Sequence, residues 1–139
     1  MYEAKVKYTA IDQESGKEKK LSPSFIIDAI SYTEAEVRLI MELTPSTDNF
    51  TIQSIKVANY TDLFLDNAGD KYYRCKLQFI SVDESAGKEK KVSNNVLIVA
   101  DSLEQAKEYL NVEISKMVVD CDVTSISETN IMDVFLYEK

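Results

Sequence analysis

The sequence lacks histidine and tryptophan, and it holds only two cysteines, two prolines and three glycines in 139 residues. Without histidine, the chain has no histidine-dependent catalytic triad, no histidine metal ligand and no side chain that ordinarily accepts a proton near neutral pH. The glycines stand apart, at Gly16, Gly69 and Gly87, whereas a loop that cradles phosphate needs clustered glycines. We therefore expect a protein that is not an enzyme and that binds no cofactor and no metal.

The thiols and the short apolar runs predict where the chain resides. Cys75 and Cys121 are too few for a cysteine metal site, and free thiols are typical of a reducing compartment. No apolar run approaches the roughly 18 residues of a membrane span, and the first residues do not read as an export signal. These features predict a cytoplasmic protein without a membrane partner.

Charge is unevenly distributed along the sequence. The formal net charge is −8, which argues against nucleic acid because phosphate binding depends on Lys and Arg. However, residues 1–20 and 71–91 together hold 11 of the 16 basic residues and 7 acidic ones, a local charge of +4. The remainder carries a charge of −12. The net charge alone therefore does not exclude a nucleic-acid partner.

The pentapeptide GKEKK occurs twice, at residues 16–20 and 87–91, an offset of 71 positions. The same offset aligns residues 1–68 with residues 72–139 without a gap and gives 21 identities in 68 pairs. A match of this length in one register indicates an internal repeat.

Each predicted repeat has the same order of elements. The segment YEAKVKYTAI alternates and predicts a strand, and the lone glycine in the polar stretch that follows is typical of a hairpin loop. A second strand, a helix and a third strand complete a ββαβ unit, with Pro23 making the second strand of the first copy start late or lie at an edge. The predicted fold is α+β, an internally duplicated ββαβ unit in one pseudo-twofold domain, with a mainly antiparallel sheet and helices on one side. Residues 1–66 form repeat 1, residues 72–139 form repeat 2, and residues 67–71 join them.

The helix of each repeat has a marked start. Ser31 followed by Glu34, and Ser102 followed by Gln105, fit the capping-box pattern. Pro45 is expected to end the first helix. The apolar stripes of the two helices predict their buried faces, and their members are Tyr32, Ala35, Leu39 and Leu43 in repeat 1 and Leu103, Ala106, Leu110 and Ile114 in repeat 2.

Four aspartates occupy equivalent positions of the two repeats, and we interpret them as structural. Asp12 and Asp83 begin loops, where Asp side chains commonly cap turns. Asp62 and Asp133 lie near strand ends, where hydrogen bonding to the local backbone explains them. Acid–base catalysis or Mg²⁺ binding by these pairs is the less favoured alternative.

Several apolar residues also recur in a way that favours burial. Cys75 and Cys121 align with apolar positions of repeat 1 and are interpreted as core residues. The segments NYTDLFL and NIMDVFL recur in both copies, which favours a structural role with Phe64 and Phe135 packed on the core. The aromatic residues of the first strands are interpreted as core residues rather than as base-stacking platforms, and they are Tyr2, Tyr8, Tyr73 and Phe79.

The basic residues of the hairpins and first strands are candidates for binding a phosphate backbone. Pseudo-twofold symmetry would place the two sets in related positions. The alternative is a solvated lysine loop that keeps the hairpin tips soluble, and Glu18 and Glu89 dilute the positive charge. The candidates are Lys5, Lys7, Lys17, Lys19, Lys20, Arg74, Lys76, Lys88, Lys90 and Lys91.

A second candidate surface is apolar. By alternation, six aliphatic side chains fall on the face of the sheet that is expected to be wet, and a soluble sheet does not normally expose so many. A closed barrel, the third strands or a second chain would cover them, and homodimerisation through this face is one hypothesis. The six residues are Ile11, Ile26, Ile80, Val82, Leu97 and Val99.

The GKEKK hairpin, the S-x-T-E-A-E helix start and the SISET-x-IMDVF ending resemble those of an uncharacterised family. It is a domain of unknown function found in small proteins common in Bacteroidales and their phages, and the resemblance spans the whole chain. The family has no established catalytic residues, so the resemblance implies none here.

Three functions remain open on this sequence. The first is a non-enzymatic binding protein that is associated with nucleic acid through its paired lysine hairpins. The second is a protein-interaction module, a small homodimer that binds a bacterial or phage protein. The third is a sponge for a small ligand or nucleotide.

Overall fold

The computed structural model describes residues 1–11, 13–45, 49–83, 85, 87–117 and 120–136, which form nine strands and two helices. The elements in chain order are β1 (Tyr2–Ile11), β2 (Glu18–Leu21), β3 (Ser24–Ile27), α1 (Tyr32–Leu43), β4 (Phe50–Val57), β5 (Tyr60–Phe64), β6 (Lys71–Asp83), β7 (Lys88–Ala100), α2 (Leu103–Ser115), β8 (Cys121–Glu128) and β9 (Ile131–Phe135). They divide into two units, Met1–Asn59 with Asn130–Lys139, and Tyr60–Thr129. The α+β class and the mostly antiparallel pairing are confirmed. No helix within the described ranges is long and apolar enough to cross a membrane.

Unit 1 is a five-stranded sheet with α1 on one face. The strand β1 pairs antiparallel with β4 on one side and with β2 and β3 on the other, and β3 pairs parallel with β9. The buried side of α1 packs on one face of this sheet. The resulting core contains Ala4, Val6, Phe25, Ile27, Ala29, Ala35, Leu39, Leu43 and Ile55.

Unit 2 is a four-stranded sheet in the order β5-β7-β6-β8. The strands β6 and β7 form one long antiparallel hairpin, β8 pairs antiparallel with β6, and β5 pairs parallel with β7. The helix α2 packs on one face of this sheet, and the core contains Tyr73, Cys75, Leu77, Val96, Ile98, Ala100, Ala106 and Leu110.

The last strand of each predicted repeat pairs in the unit that contains the other repeat's hairpin. β5 belongs to predicted repeat 1, yet it pairs with β7 of predicted repeat 2, and β9 belongs to predicted repeat 2, yet it pairs with β3 of predicted repeat 1. We call β5 and β9 the exchanged strands. The units therefore have boundaries that differ from those of the predicted repeats. The predicted ββαβ order was incomplete, because each predicted repeat has this additional strand after the third one. The boundaries of the repeats stay a prediction. Five residues with a central aspartate carry too short an alternation to mark a strand in the sequence.

Local signals in the sequence identified most other elements. Gly16 and Gly87 have φ of 67° and 63° in their hairpin loops, a region that glycine enters without steric cost. The hydroxyl oxygen of Ser31 accepts a hydrogen bond from the backbone amide of Glu34 at 3.2 Å, and that of Ser102 accepts one from the amide of Gln105 at 3.1 Å. α1 ends at Leu43, two residues before its proline. These predictions are confirmed.

The helix stripes were correct except at their first members. Ala35, Leu39, Ala106 and Leu110 are fully buried, but the side chains of the first helical residues, Tyr32 and Leu103, are each 52% exposed. A side chain in the first turn points back toward the N-terminus of its helix, which carries it away from the sheet.

A break divides the second strand in unit 1 but not in unit 2. β2 and β3 are separated at Ser22 and Pro23, whereas β7 runs without interruption through the equivalent positions. The carbonyl of Pro23 still accepts a hydrogen bond from the amide of Val6 at 3.0 Å, so the register on β1 is kept across the break. Proline cannot donate to the ladder, which explains why the strand starts again after it.

Candidate nucleic-acid interface

The register of the hairpins fixes which face of each sheet a basic side chain occupies. Residues that are paired across antiparallel strands share a face, and successive residues alternate between faces. Ala4 and Val6 lie on the face that carries α1, and Cys75 and Leu77 lie on the face that carries α2. We call the opposite face of each sheet its helix-free face.

In unit 1, three of the candidate lysines share the helix-free face. Lys5 and Lys7 alternate with the core residues of β1, and Lys20 joins them because it is paired with Thr9. Lys19 is paired with Ala10 and therefore lies on the other face, and Lys17 lies in the turn before β2. All five side chains are exposed.

Unit 2 repeats this division on its longer hairpin. Arg74 and Lys76 lie on the helix-free face, and Lys91 lies there too because it is paired with Ile80. Lys88 and Lys90 are on the side that carries α2, since their partners are Asp83 and Ser81. The ten candidate residues are therefore exposed but do not share a single face, and their role stays a prediction.

Small hydroxyl and amide side chains flank these cations on the neighbouring strands. Lys5 is paired with Ser24 on β3 and with Ser54 on β4, and Lys7 is paired with Thr51. Two ion pairs among the described residues, Lys71–Glu128 at 3.6 Å and Lys116–Glu113 at 3.5 Å, involve other lysines. The residues paired with Lys5 and Lys7 thus carry hydroxyl groups, which can donate to phosphate, rather than carboxylates.

In unit 2, Lys76 is paired with Asn95 on β7 and with Ser125 on β8. These uncharged neighbours were not predicted, because neither charge nor an aromatic ring marks them in the sequence. The signal that would have found them is the alternation of serine and threonine with apolar residues in the third strand of each repeat.

Arg74 is already engaged within unit 2. Its Nε donates a hydrogen bond to the hydroxyl of Tyr60 at 2.9 Å, and its guanidinium carbon lies 5.9 Å from the centroid of the Tyr60 ring. Tyr60 is the first residue of β5, so this contact holds the exchanged strand at the sheet. Arg74 therefore has a structural role in unit 2 in addition to its predicted role in binding nucleic acid.

The burial of apolar side chains on the helix-free face varies along the strands. Ile26 and Leu97 are fully buried and Val99 is 6% exposed, whereas Ile11 and Val82, at the hairpin ends, are 70% and 65% exposed. Ile80 is half-buried. A second copy could contact directly only the exposed members of this apolar set, and homodimerisation through it stays a prediction.

The aromatic residues of the first strands lie on the opposite, helix-bearing face. Tyr73 is buried, and Tyr2, Tyr8 and Phe79 are half-buried against or near the cores. Their expected inward orientation is confirmed, and they lie on the faces opposite Lys5, Lys7, Lys20, Lys76 and Lys91.

Among the residues that the structure describes, the cysteines and carboxylates show no reactive arrangement. Cys75 is buried in the core of unit 2, and burial raises the pKa of its thiol from 9.0 to about 11. Cys121 is only half-buried, and its pKa is raised by burial and by the neighbouring Asp122 and Asp120 carboxylates. Over the described ranges, no three Cys, Asp or Glu side chains lie close enough to hold a metal ion.

The recurrent aspartates are accounted for only in part. The carboxylate of Asp133 accepts a hydrogen bond from the amide of Val134 at 2.8 Å, as local backbone bonding predicts. Asp62 is exposed. Asp12 lies outside the described residues, as does the side chain of Asp83.

Comparison with known proteins identifies a family but no better-characterised relative. No curated protein and no solved structure matches this chain. The model of one family matches residues 1–137, and its description is "Domain of unknown function (DUF4494)". The resemblance seen in the sequence is confirmed at this level, while its distribution in Bacteroidales and their phages stays a prediction. The chain belongs to this DUF4494 family.

Proposed function

We propose that the protein is a non-enzymatic, cytoplasmic binding protein that contacts the phosphate backbone of nucleic acid through the helix-free faces of its sheets. The setting that we propose is replication or recombination in a bacterium or phage. The observation that carries the proposal is the set of exposed lysines on these faces, Lys5, Lys7 and Lys20 in unit 1 and Lys76 and Lys91 in unit 2, with hydroxyl and amide side chains beside them.

The chemistry of this face favours phosphate over base recognition. Lysine is a flexible point charge, and it binds phosphate without reading the sequence of the bases. Because the whole chain has a net charge of −8, we expect weak binding that depends strongly on salt. If the three lysines of unit 1 contact one duplex, the logarithm of the affinity should fall with the logarithm of the salt concentration with a slope of about −3.

The test is fluorescence anisotropy with labelled single-stranded and duplex oligonucleotides of several sequences at low salt. The proposal predicts binding at micromolar protein, similar for all sequences, and lost as salt is raised. Failure to bind at tens of micromolar protein in low salt would reject it.

A matched pair of double variants ties any binding to the face. Lys20→Glu with Lys91→Glu reverses two charges on the helix-free faces, whereas Lys19→Glu with Lys90→Glu reverses the adjacent charges on the helix-bearing faces. Both variants lower the net charge equally, so a difference between them reports position alone. We expect the first to weaken binding by at least about tenfold relative to the second and to flatten the salt slope by about two. Equal losses would mean that only the net charge matters.

We further propose that the chain arose by duplication of one ancestral unit and that its two halves are related by a pseudo-twofold axis. The constant offset of 71 residues supports this, since it relates the two positive-φ glycines, the two capping serines and the register shifts after Lys5 and Lys76. On this proposal, each half of the chain supplies one basic helix-free face.

A second candidate function, a protein-interaction module, is favoured by the exposed side of α1. Val37, Ile40 and Met41 are 50%, 41% and 69% exposed there, whereas α2 carries Glu108 and Asn111 at the positions equivalent to the first two. A groove lined by both apolar and polar side chains lies between α1 and β4, which is an edge strand of its sheet as far as the described residues show. An extended segment of a partner could pair with β4 and place alternate apolar side chains in this groove.

The groove also constrains the charge of such a partner. Glu36 lines it, and no basic residue is among its described lining residues, so a partner segment that carries Lys or Arg is favoured. Pull-down from nuclease-treated lysate should recover a protein that is lost with Glu36→Lys and Ile40→Lys, which line the groove, but retained with Glu108→Lys and Val112→Lys on α2, which change the net charge equally. A protein that is retained or lost equally with both pairs would count against this surface.

A further inference from the structure

We propose that unit 1 contains a binding site for a small organic amine, a ligand with an apolar body and a cationic ammonium group. The site is a cavity of about 310 Å³ between the sheet and the C-terminal end of α1. Its walls are Val6, Phe25, Leu43 and Phe135, and two carboxylate-bearing residues, Glu42 and Asp133, complete the lining together with Tyr8 and Met132.

The size and the lining of the cavity fit a small aromatic or aliphatic ligand. Ligand pockets in proteins start at about 300 Å³ and are mostly apolar, with a few polar groups that orient the ligand. A cavity of about 150 Å³ accommodates benzene, so this one has room for a ring with a short chain. The stacked rings of Phe25 and Phe135, 5.5 Å apart, form a flat apolar wall.

The charge of the lining selects the ligand class. Glu42 and Asp133 are exposed carboxylates, and no basic side chain is among the described residues that line the cavity. An ammonium group is attracted by both carboxylates, whereas a nucleotide or another anion is repelled. The lining offers a metal ion only two carboxylates, and no third Cys, Asp or Glu side chain among the described residues lies close enough to join them. An amine with an apolar body is the chemistry that matches both features.

Unit 2 provides an internal comparison at the equivalent position. Met117 packs against the unit 2 core just after α2, and Glu113, the counterpart of Glu42, forms an ion pair with Lys116 at 3.5 Å. In unit 1, Pro45 stands where Lys116 stands in unit 2. Glu113 of unit 2 is thus neutralised by Lys116, whereas its counterpart in unit 1, Glu42, lines a cavity and has no lysine at the equivalent position.

The exchanged strand completes this site. Met132, Asp133 and Phe135 all come from β9, and the remaining lining residues come from β1, β3 and α1. Asp133 keeps its orientation through the hydrogen bond from the amide of Val134. The site therefore depends on the pairing of β9 with β3, and it is independent of the proposed nucleic-acid surface.

The test compares three probes that share a phenylethyl body, 2-phenylethylamine, 2-phenylethanol and 3-phenylpropionate, by titration of the full chain with selective methyl labelling. Binding should shift the methyl resonances of Val6 and Leu43 and leave those of their counterparts, Leu77 and Ile114, unchanged. We expect the amine to bind up to about tenfold more tightly than the alcohol, because the two exposed carboxylates attract its charge only weakly through solvent, and the anionic 3-phenylpropionate to bind least.

Variants that remove the two negative charges of the cavity show whether these carboxylates cause the preference for the amine. Glu42→Gln with Asp133→Asn should make the amine and the alcohol bind equally, and the asparagine retains an oxygen that accepts from the amide of Val134. The control, Asp62→Asn with Glu113→Gln in unit 2, should leave the preference for the amine unchanged. Equal binding of the three probes to the wild-type chain, shifts centred on unit 2, or no shift at millimolar probe would each overturn the proposal.

Discussion

The rings of Phe25 and Phe135 stack with their centroids 5.5 Å apart and their planes 12° apart, although one lies in β3 and the other in the last strand of the chain. The amide of Asp28 donates to the carbonyl of Phe135 at 2.8 Å beside this pair. These contacts join the last described strand of the chain to the sheet of unit 1. They complete the unit 1 sheet and one wall of its cavity.

An arginine on α1 should hold the exchanged strand β9 in place. The guanidinium of Arg38 donates to the carbonyl oxygens of Asp28 and Leu136, which follow β3 and β9. We expect Arg38→Met to lower the free energy of unfolding by about 1–2 kcal/mol, since hydrogen bonds from a charged donor are lost at a partly exposed site. Urea denaturation measures this change, with Lys107→Met on the exposed side of α2 as the control.

Hydrogen exchange tells whether Arg38 acts on β9 itself. In Arg38→Met, the amides of β3 and β9 should exchange faster, while those of β6 and β7 keep their protection. A uniform loss of protection over both units would contradict a local role for this arginine.

Glycine-to-alanine substitutions should separate backbone strain from steric overlap. Gly16 and Gly87 have positive φ and open space around them, so alanine should cost about 1–2 kcal/mol through strain alone. A Cβ at Gly69 would lie 2.6 Å from the backbone of Ala100, so Gly69→Ala should cost more than about 2 kcal/mol. Thermal unfolding ranks the three variants, and Gly16→Asn should recover part of the loss because asparagine tolerates positive φ.

If Gly69→Ala proved as stable as Gly16→Ala, the close approach of residue 69 to Ala100 would be wrong. That approach matters because residues 67–71 lead from β5 into β6 and determine where the exchanged strand leaves the unit 2 sheet.

The buried thiol of Cys75 should make stability depend on alkaline pH. Its pKa is about 11 in the folded chain because of burial, against an ordinary value of 9.0, so between these values the unfolded chain loses this proton first. The folded state then binds more protons than the unfolded one, and the free energy of unfolding falls as pH rises from about 9 to 11. We expect this residue to contribute a loss of about 2 kcal/mol over that window.

The contribution of Cys75 is isolated by comparison with Cys75→Ala, which places at this site the residue found at the equivalent position, Ala4. Urea denaturation at a series of pH values from 8 to 11 should show a steeper decline for the wild-type chain. Parallel curves for the two proteins would mean that the thiol is not buried.

Much of the local structure was readable from the sequence because it depends on neighbouring residues. The alternation of β1, the capping serines Ser31 and Ser102, and the positive-φ glycines of the hairpins each act over a few positions. The same holds for the outward orientation of Lys5 and Lys76, which alternate with core residues on their own strands.

The choice of partner for the last strands could not be read in this way. β5 and β9 have similar sequences, with Asp62 and Asp133 and then Phe64 and Phe135 at equivalent positions, so either strand suits either sheet. A strand of five residues carries too little sequence information to specify which of the two similar sheet edges it joins. Long-range pairing is decided by the whole folded chain rather than by local pattern.

The faces of the hairpin lysines escaped prediction for a related reason. Whether Lys19 or Lys20 joins Lys7 on the helix-free face depends on the register across the loop, and a shift of one residue exchanges them. The sequence therefore identified the candidate lysines but not the subset that shares a face.

The strand exchange is the central claim, and interstrand backbone NOEs measure it directly. In the exchanged arrangement, Val134 of β9 is paired with Ile26 of β3, and Leu63 of β5 is paired with Leu97 of β7. NOEs between the backbone protons around Ile26 and those around Val134 are the predicted result. NOEs that instead join Val134 to Leu97, and Leu63 to Ile26, would show that each repeat keeps its own last strand and would contradict the account.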